Sequence, residues 1–165
     1  MSDEVRWYAV NVRSRYEKKV HSALLRRGVD TYLPLVETTR QWADRRKNVY
    51  LPLFKGYVFV RIDLRKRLKV LTLDGVVRII GFGDNPTPIP DYQIQAMRLI
   101  LNGDYETEAI PYLKEGESVE IIAGPLRGLF GILLRKKSSM RFVLSVEIIG
   151  RSVAVEIKSH LLRSV

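Results

Sequence analysis

A chain of 165 residues and 19.0 kDa is long enough for one ordinary domain or two small ones, and needs no metal or disulfide to complete a core. Its 28 Lys and Arg against 18 Asp and Glu leave a net charge of +10, which draws it to polyanions because neutralising phosphates releases counterions. The absence of Cys excludes disulfides, thiolate catalysis and Cys-ligated zinc.

The first residues, Met1 to Glu4, are acidic and lack an apolar run, so no signal peptide is expected, and no stretch approaches the roughly 18 apolar residues of a membrane span. A soluble, cytoplasmic protein is the expectation. Trp7 to Val12 is rich in aromatic and β-branched residues and predicts a buried strand. Ser14 and Glu17 have the spacing of a capping box, Val20, Ala23 and Leu24 recur at helical spacing, and Gly28 ends the run, which predicts a helix over 15–27. Thr31 to Thr38, interrupted by Pro34, and Val49 to Phe54 predict a long hairpin with a charged tip at Arg40 to Lys47. The alternation in Gly56 to Ile62 puts Tyr57, Phe59 and Arg61 on one strand face and Val58, Val60 and Ile62 on the other. Leu64 to Leu73 predicts a short basic helix, Val76 to Ile80 a strand, and Asp91 opens a helix carrying Ile94, Met97 and Leu101 before Gly103.

Residues 104–112, with Asp104, Glu106, Glu108 and Pro111, read as an acidic linker between a first domain over 1–103 and a second over 113–165. In the second, Val119 to Ile122, Leu129 to Leu134, Phe142 to Val146 and Val153 to Ile157 are short strands separated by Gly124-Pro125, Lys136 to Ser139 and Gly150 to Ser152, the pattern of a small barrel. Residues 114–165 hold nine basic and five acidic side chains and the remainder 19 and 13, so both parts are basic and charge does not choose between them.

Catalysis is not expected. His21 and His160 fall in different domains without metal-ligand spacing, and the chain lacks phosphate-binding glycine loops and nucleophile elbows. Asp84 and Asp91 read as a turn residue and a helix-start residue, although as a carboxylate pair they would suit a metal-dependent nucleic-acid enzyme. No cofactor or metal is implied. Basic clusters are the stronger signal. Arg13, Arg15, Lys18 and Lys19 surround a helix start, where backbone N–H groups attract phosphate, and Tyr16 among them can stack on an unpaired base. Arg45, Arg46 and Lys47 lie beside Trp42, and Arg65, Lys66, Arg67 and Lys69 form a third cluster suited to an acidic target. Phe54, Tyr57, Phe59, Phe82, Ile94 and Met97 fit either a core or an interface, since a strand face mixing Tyr57 and Phe59 with Arg61 has the composition of an interface.

In order along the chain, WYAVNVRSRYEKKV, LPLFKGYVFVRI, DGVVRIIGFGDNPTPIP and EGESVEIIAGPLRGLFGIL resemble the NusG family of transcription elongation factors over nearly the whole length. The resemblance implies an α+β protein: an N-terminal NGN domain, an α/β sandwich with a mainly antiparallel sheet, followed by a small all-β SH3-like KOW barrel. It implies a non-enzymatic factor whose NGN domain docks on the clamp helices of RNA polymerase through an apolar pocket, at positions matching Phe54, Tyr57, Phe59, Phe82, Ile94 and Met97. The same domain would reach the other pincer of the DNA cleft through Lys66, Arg67 and Lys69, and meet the non-template DNA strand through Arg13, Ser14, Arg15, Tyr16, Lys19 and the turn Thr72 to Asp74.

In the KOW barrel, the family's partner-binding Phe positions correspond to Leu126, Leu129 and Ile149, beside Arg151. Leucine and isoleucine keep an apolar surface there but lose ring stacking toward a small-subunit ribosomal protein or the Rho termination factor. Arg135, Lys136, Lys137 and Arg141 offer a basic loop that could touch RNA instead. These departures lean toward a specialised antiterminator of the RfaH or UpxY type. The alternative reading is a ribosome-associated RNA-binding protein, since KOW barrels occur there as well.

Overall fold

A computed structural model describes residues 4–136 and 139–165, which divide into two compact units, Met1–Pro88 and Ile89–Val165. Every strand pair among the described residues is antiparallel.

The first unit runs β1 (Arg6–Val12), α1 (Glu17–Arg26), β2 (Asp30–Tyr32), β3 (Leu35–Gln41), β4 (Arg46–Pro52), β5 (Tyr57–Ile62), α2 (Leu68–Leu71), β6 (Val76–Ile79), β7 (Gly81–Phe82) and β8 (Asn85–Pro86). Its main sheet has the order β2-β5-β1-β6, while β3 with β4 and β7 with β8 form separate two-stranded ribbons. The period-2 pattern of β5 is realised as expected: Val58, Val60 and Ile62 join Tyr8, Val10 and Val12 of β1 in a core closed by Val20 and Leu24 of α1 and Val70 of α2. Each aliphatic side chain fully buried there contributes about 1.5–3 kcal/mol. Helix α1 stops where Gly28 takes φ +72 and the Val29 N–H donates to the Leu24 carbonyl at 3.0 Å, a left-handed glycine closure. The basic helix expected over 64–73 is broken into a 3-10 turn at Leu64–Lys66 and the four-residue α2.

His21 sits half-buried on α1, and burial pushes its imidazole below the usual histidine value against an opposing hydrogen bond with the Thr31 backbone. A depressed pKa gives stability that is present above about pH 6.5 and lost as the pH falls. His21→Gln is therefore expected to flatten the fall in melting temperature below that pH; an unchanged profile would assign the acid sensitivity elsewhere.

The second unit runs α3 (Asp91–Asn102), β9 (Thr107–Pro111), β10 (Glu117–Ile121), β11 (Phe130–Lys136), β12 (Ser139–Val146), β13 (Arg151–Ile157) and β14 (Leu162–Ser164). Its sheet has the order β14-β10-β11-β12-β13-β9. Helix α3 packs against this sheet, and the Tyr92 hydroxyl accepts from the Phe130 N–H at 2.6 Å and lies 3.0 Å from the Phe130 carbonyl. Its buried positions are Ile94, Ala96, Met97 and Ile100, while Leu101 is only partly covered.

The segment expected to be a linker is structured. Thr107 to Pro111 pair with β13 in register from Val155 to Arg151. Beyond it, Leu113 is clamped by two serines: its N–H donates to Ser152 Oγ at 3.0 Å and its carbonyl accepts from Ser145 Oγ at 2.7 Å. The acidic residues suggested an unpaired segment because local composition does not register a partner strand some 40 residues away. Among the described residues, no helix is long and apolar enough to cross a membrane.

Candidate functional site

The basic loop between β1 and α1 is shaped by the end of the main sheet. The β1–β6 register shifts between Asn11 and Val12, and such a bulge bends the strand and re-aims the chain beyond it. The Arg13 N–H then donates to the Gly75 carbonyl at 2.8 Å, stitching this loop to the turn after α2. Tyr16 N–H closes a turn onto the Arg13 carbonyl at 3.0 Å, and Arg15 takes φ 68, a left-handed conformation uncommon for a residue with a side chain. The expected capping box between Ser14 and Glu17 is not formed. The Glu17 carboxylate accepts from the Arg15 N–H at 2.8 Å, Tyr16 stands at the cap position without a side-chain hydrogen bond, and α1 begins at Glu17.

This geometry exposes Arg13, Ser14, Arg15, Lys18 and Lys19. It does not free Tyr16 for base stacking. The Tyr16 ring lies over Gly75, where an added Cβ would come within 2.3 Å of it, and packs against the main core. Lys19 Nζ lies 5.1 Å from the Tyr16 ring centroid and 3.5 Å from Asp74 Oδ2. Thr72 is also engaged: its hydroxyl donates to the Leu68 carbonyl at 2.6 Å and accepts from Arg27 Nη1 at 2.7 Å. Arg27, which the sequence did not single out, also donates to the Lys69 carbonyl at 2.9 Å and so fixes the turn against α1. The structure therefore brings Arg13, Arg15, Tyr16, Lys19 and Thr72 into one surface, with cations outward and the ring beneath.

The aromatic face of β5 is covered as well. Phe59 is fully buried, its ring 6.4 Å from Tyr32 in a stacked arrangement and 6.4 Å from Phe54 in an edge-on one. Phe54 is buried and Tyr57 half-buried, whereas Phe82 on β7 is 71% exposed. Ile94 and Met97 are buried on α3. Of the six apolar positions, only Tyr57 and Phe82 thus present surface; the alternation placed Phe59 opposite the main core correctly, but that second face is interior at Phe59 too, with Tyr57 half-buried and Arg61 exposed.

The third cluster begins after Asp63, which caps the 3-10 turn by accepting from the Arg65 N–H at 2.9 Å. Asp63 also holds the Arg65 guanidinium at 2.6 Å, and these bonds keep its carboxyl below the usual carboxylate range. Lys66, Arg67 and Lys69 stand exposed on this segment. Beside it lies a cleft of about 590 Å³ lined by Leu64, Arg67, Leu71, Arg78 and Pro86, with Leu68 66% exposed nearby in sequence. Arg78 and Leu68 were not anticipated; their signal is an outward Arg on the edge strand β6 and a leucine amid cations.

In the second unit Leu126, Leu129 and Ile149 are buried, so they do not form the apolar surface expected of them, while Arg151 is exposed. Arg135 pairs with Glu117 at 3.5 Å and Arg141 with Glu108, which answers two cations of the expected basic loop; Lys137 lies outside the described residues. Among the described residues, no group of three His, Asp or Glu is placed to hold a metal ion.

A family model described as transcription termination factor NusG matches residues 5–98, more than half of the chain and the whole of the main sheet with its basic loop. The chain belongs to the NusG family. Similar proteins include the NusG transcription termination/antitermination proteins of Borreliella burgdorferi, 25% identical with 92% of this chain and 94% of that one covered, and of Staphylococcus aureus, 28% identical with 96% of each covered. Among solved structures, one of Thermotoga maritima NusG, titled for its domain interaction, overlays with a TM-score of 0.58 at 23% identity and covers 98% of both chains. That overlay supports the fold, an NGN-type sheet unit followed by a KOW-type β unit.

Proposed function

We propose that this NusG-family chain is a transcription termination/antitermination factor of the elongation complex, acting by binding rather than by catalysis. Its NGN unit docks on the RNA polymerase clamp helices, spans the DNA cleft toward the second pincer through Lys66, Arg67 and Lys69, and holds the non-template strand against Arg13, Ser14, Arg15 and Lys19. Its KOW unit recruits a further partner, such as RNA, a ribosomal protein or Rho, with Arg151 its accessible residue. The family match over residues 5–98 carries this reading, because it spans the β1–α1 loop, the aromatic β5 and Phe82 together.

Bridging two mobile pincers restrains pausing by shifting a conformational population, with no bond made or broken. A preference of about 1.4 kcal/mol for the closed clamp changes the closed-to-open ratio about tenfold. Of the apolar set, Tyr57 and Phe82 are the positions a partner reaches without rearrangement. Docking that uses Phe54, Phe59, Ile94 or Met97 requires uncovering them first.

The test is co-elution of the full chain with core RNA polymerase on gel filtration, beside Tyr57→Ala/Phe82→Ala. The wild type is expected to co-elute and the double variant to lose most of the complex while melting within a few degrees of the wild type. Retained binding by the folded variant would remove these two residues from the interface. No complex with the wild type would overturn the clamp-docking reading.

A further inference from the structure

The clamp docking proposed above assigns no role to the β3–β4 ribbon of the first unit. It stands apart from the main sheet, paired from Leu35↔Pro52 out to Gln41↔Arg46. Its base is closed where the Leu53 N–H donates to the Pro34 carbonyl at 2.9 Å, and every residue from Glu37 to Asn48 is exposed. Seven residues per strand at about 3.3 Å each make an arm of roughly 23 Å. An arm of this length, covered on neither face, gains little from burial, so its side chains are placed for something outside the unit.

The charges have a definite arrangement. Directly opposed residues share a ribbon face, which puts Arg40 and Lys47 side by side near the tip. Like charges in that position repel and weaken a ribbon that already lacks a core. On the other face the Arg46 guanidinium donates to Gln41 Oε1 at 3.2 Å and Thr39 pairs with Asn48, with Glu37 and Tyr50 nearer the base. At the turn, the Trp42 N–H donates to the Arg45 carbonyl at 2.7 Å, presenting Arg45 beside a Trp42 that is 53% exposed. Asp44 is the single acidic residue between positions 40 and 47.

We propose that the β3–β4 ribbon is a contact arm for duplex DNA, with Arg40, Arg45 and Lys47 seated on backbone phosphates. A phosphate between Arg40 and Lys47 turns their mutual repulsion into two attractions. The shape selects a duplex. A two-stranded ribbon fits the B-form major groove, about 12 Å wide, whereas the A-form RNA major groove is too narrow for side chains to enter. Single strands are held by a series of stacking aromatics along a groove, and the tip offers only Trp42. The contact is assigned to backbone rather than sequence, since the two amides that could read adenine are engaged within the ribbon, Gln41 by Arg46 and Asn48 by Thr39.

The experiment needs no polymerase, so its outcome is independent of clamp docking. Fluorescence anisotropy would follow the full chain binding a duplex of about 20 base pairs between roughly 25 and 150 mM salt, where each lost phosphate contact lowers the slope of log K against log salt by about 0.9. Arg40→Gln/Arg45→Gln/Lys47→Gln is expected to lower that slope by about 2.7. The native fluorescence supplies a second readout, because the only other tryptophan, Trp7, is 3% exposed. Saturating duplex is expected to shield Trp42 from acrylamide in the wild type and not in the triple variant.

A cationic tip that serves only to keep the ribbon from self-association predicts an unchanged slope, and that result overturns the proposal. So does unshielded Trp42 in the saturated wild-type complex. An equal loss on a single strand of the same length overturns the assignment to a duplex.

Discussion

Gly75→Ala is expected to lower the stability of the first unit by about 3 kcal/mol, combining a left-handed backbone penalty of about 1–2 kcal/mol with an overpacking cost of about 1–3. Gly75 holds φ +91, and a Cβ there would lie 2.3 Å from Tyr16 Cδ1 and 2.8 Å from Cγ. The ring cannot yield cheaply, because it packs on the core cluster that holds Val20 and Val70 and stands at the cap of α1. Its displacement moves the loop whose Arg13 N–H is bonded to the same glycine's carbonyl. The variant should therefore melt well below the wild type and weaken the DNA contact proposed for this loop by more than its unfolded fraction explains. Thermal denaturation paired with strand binding at a temperature where the variant stays folded checks both parts; normal binding there would separate the Gly75–Tyr16 contact from the cationic surface.

Phe59→Ala should be more severe still. Removing a fully buried ring leaves a cavity and costs about 3–5 kcal/mol, or a melting temperature lower by roughly 15 °C or more in a unit of this size. The loss comes from packing against Tyr32 and Phe54, whatever the protein binds. Reduced polymerase binding by this variant would thus reflect unfolding, while a near-normal melting temperature would mean that the face between Phe59 and Phe54 opens readily. Phe59→Leu, which keeps most of the volume, is expected to recover the larger share of stability.

How much of the fold is legible in the sequence depends on the range of the interactions responsible. Helix α1 and the two faces of β5 are written in local periodicity and in one glycine, and the structure reproduces them, with α1 beginning at Glu17; the charged tip expected over 40–47 is shorter, because β3 runs on to Gln41 and β4 starts at Arg46. The break in the helix expected over 64–73 was less visible, since Asp63 caps a 3-10 turn through its own neighbour Arg65 before α2 can begin. The misread linker depended on a strand partner far along the chain. At the candidate site, the cations of the β1–α1 loop were evident from spacing, but the engagement of Tyr16 by Gly75 was not, because the two lie 59 positions apart. The burial of Phe54, Phe59, Leu126, Leu129 and Ile149 was equally hidden: spacing assigns a residue to a face and does not say whether that face is covered.

The place of β9 at the end of its sheet has a practical meaning for anyone dissecting the molecule. A chain started at residue 113, the boundary that composition suggests, would strip β9 from the rim of β13, whose Val153-Ala154-Val155 run would then offer a row of unpaired peptide groups to any neighbouring copy. With β9 retained, the outermost strand instead ends in Pro111, which has no N–H to donate, and carries Glu108 bonded to Arg141. Five residues that resemble a spacer thus serve as a selvedge, keeping the woven sheet from being extended by its own kind.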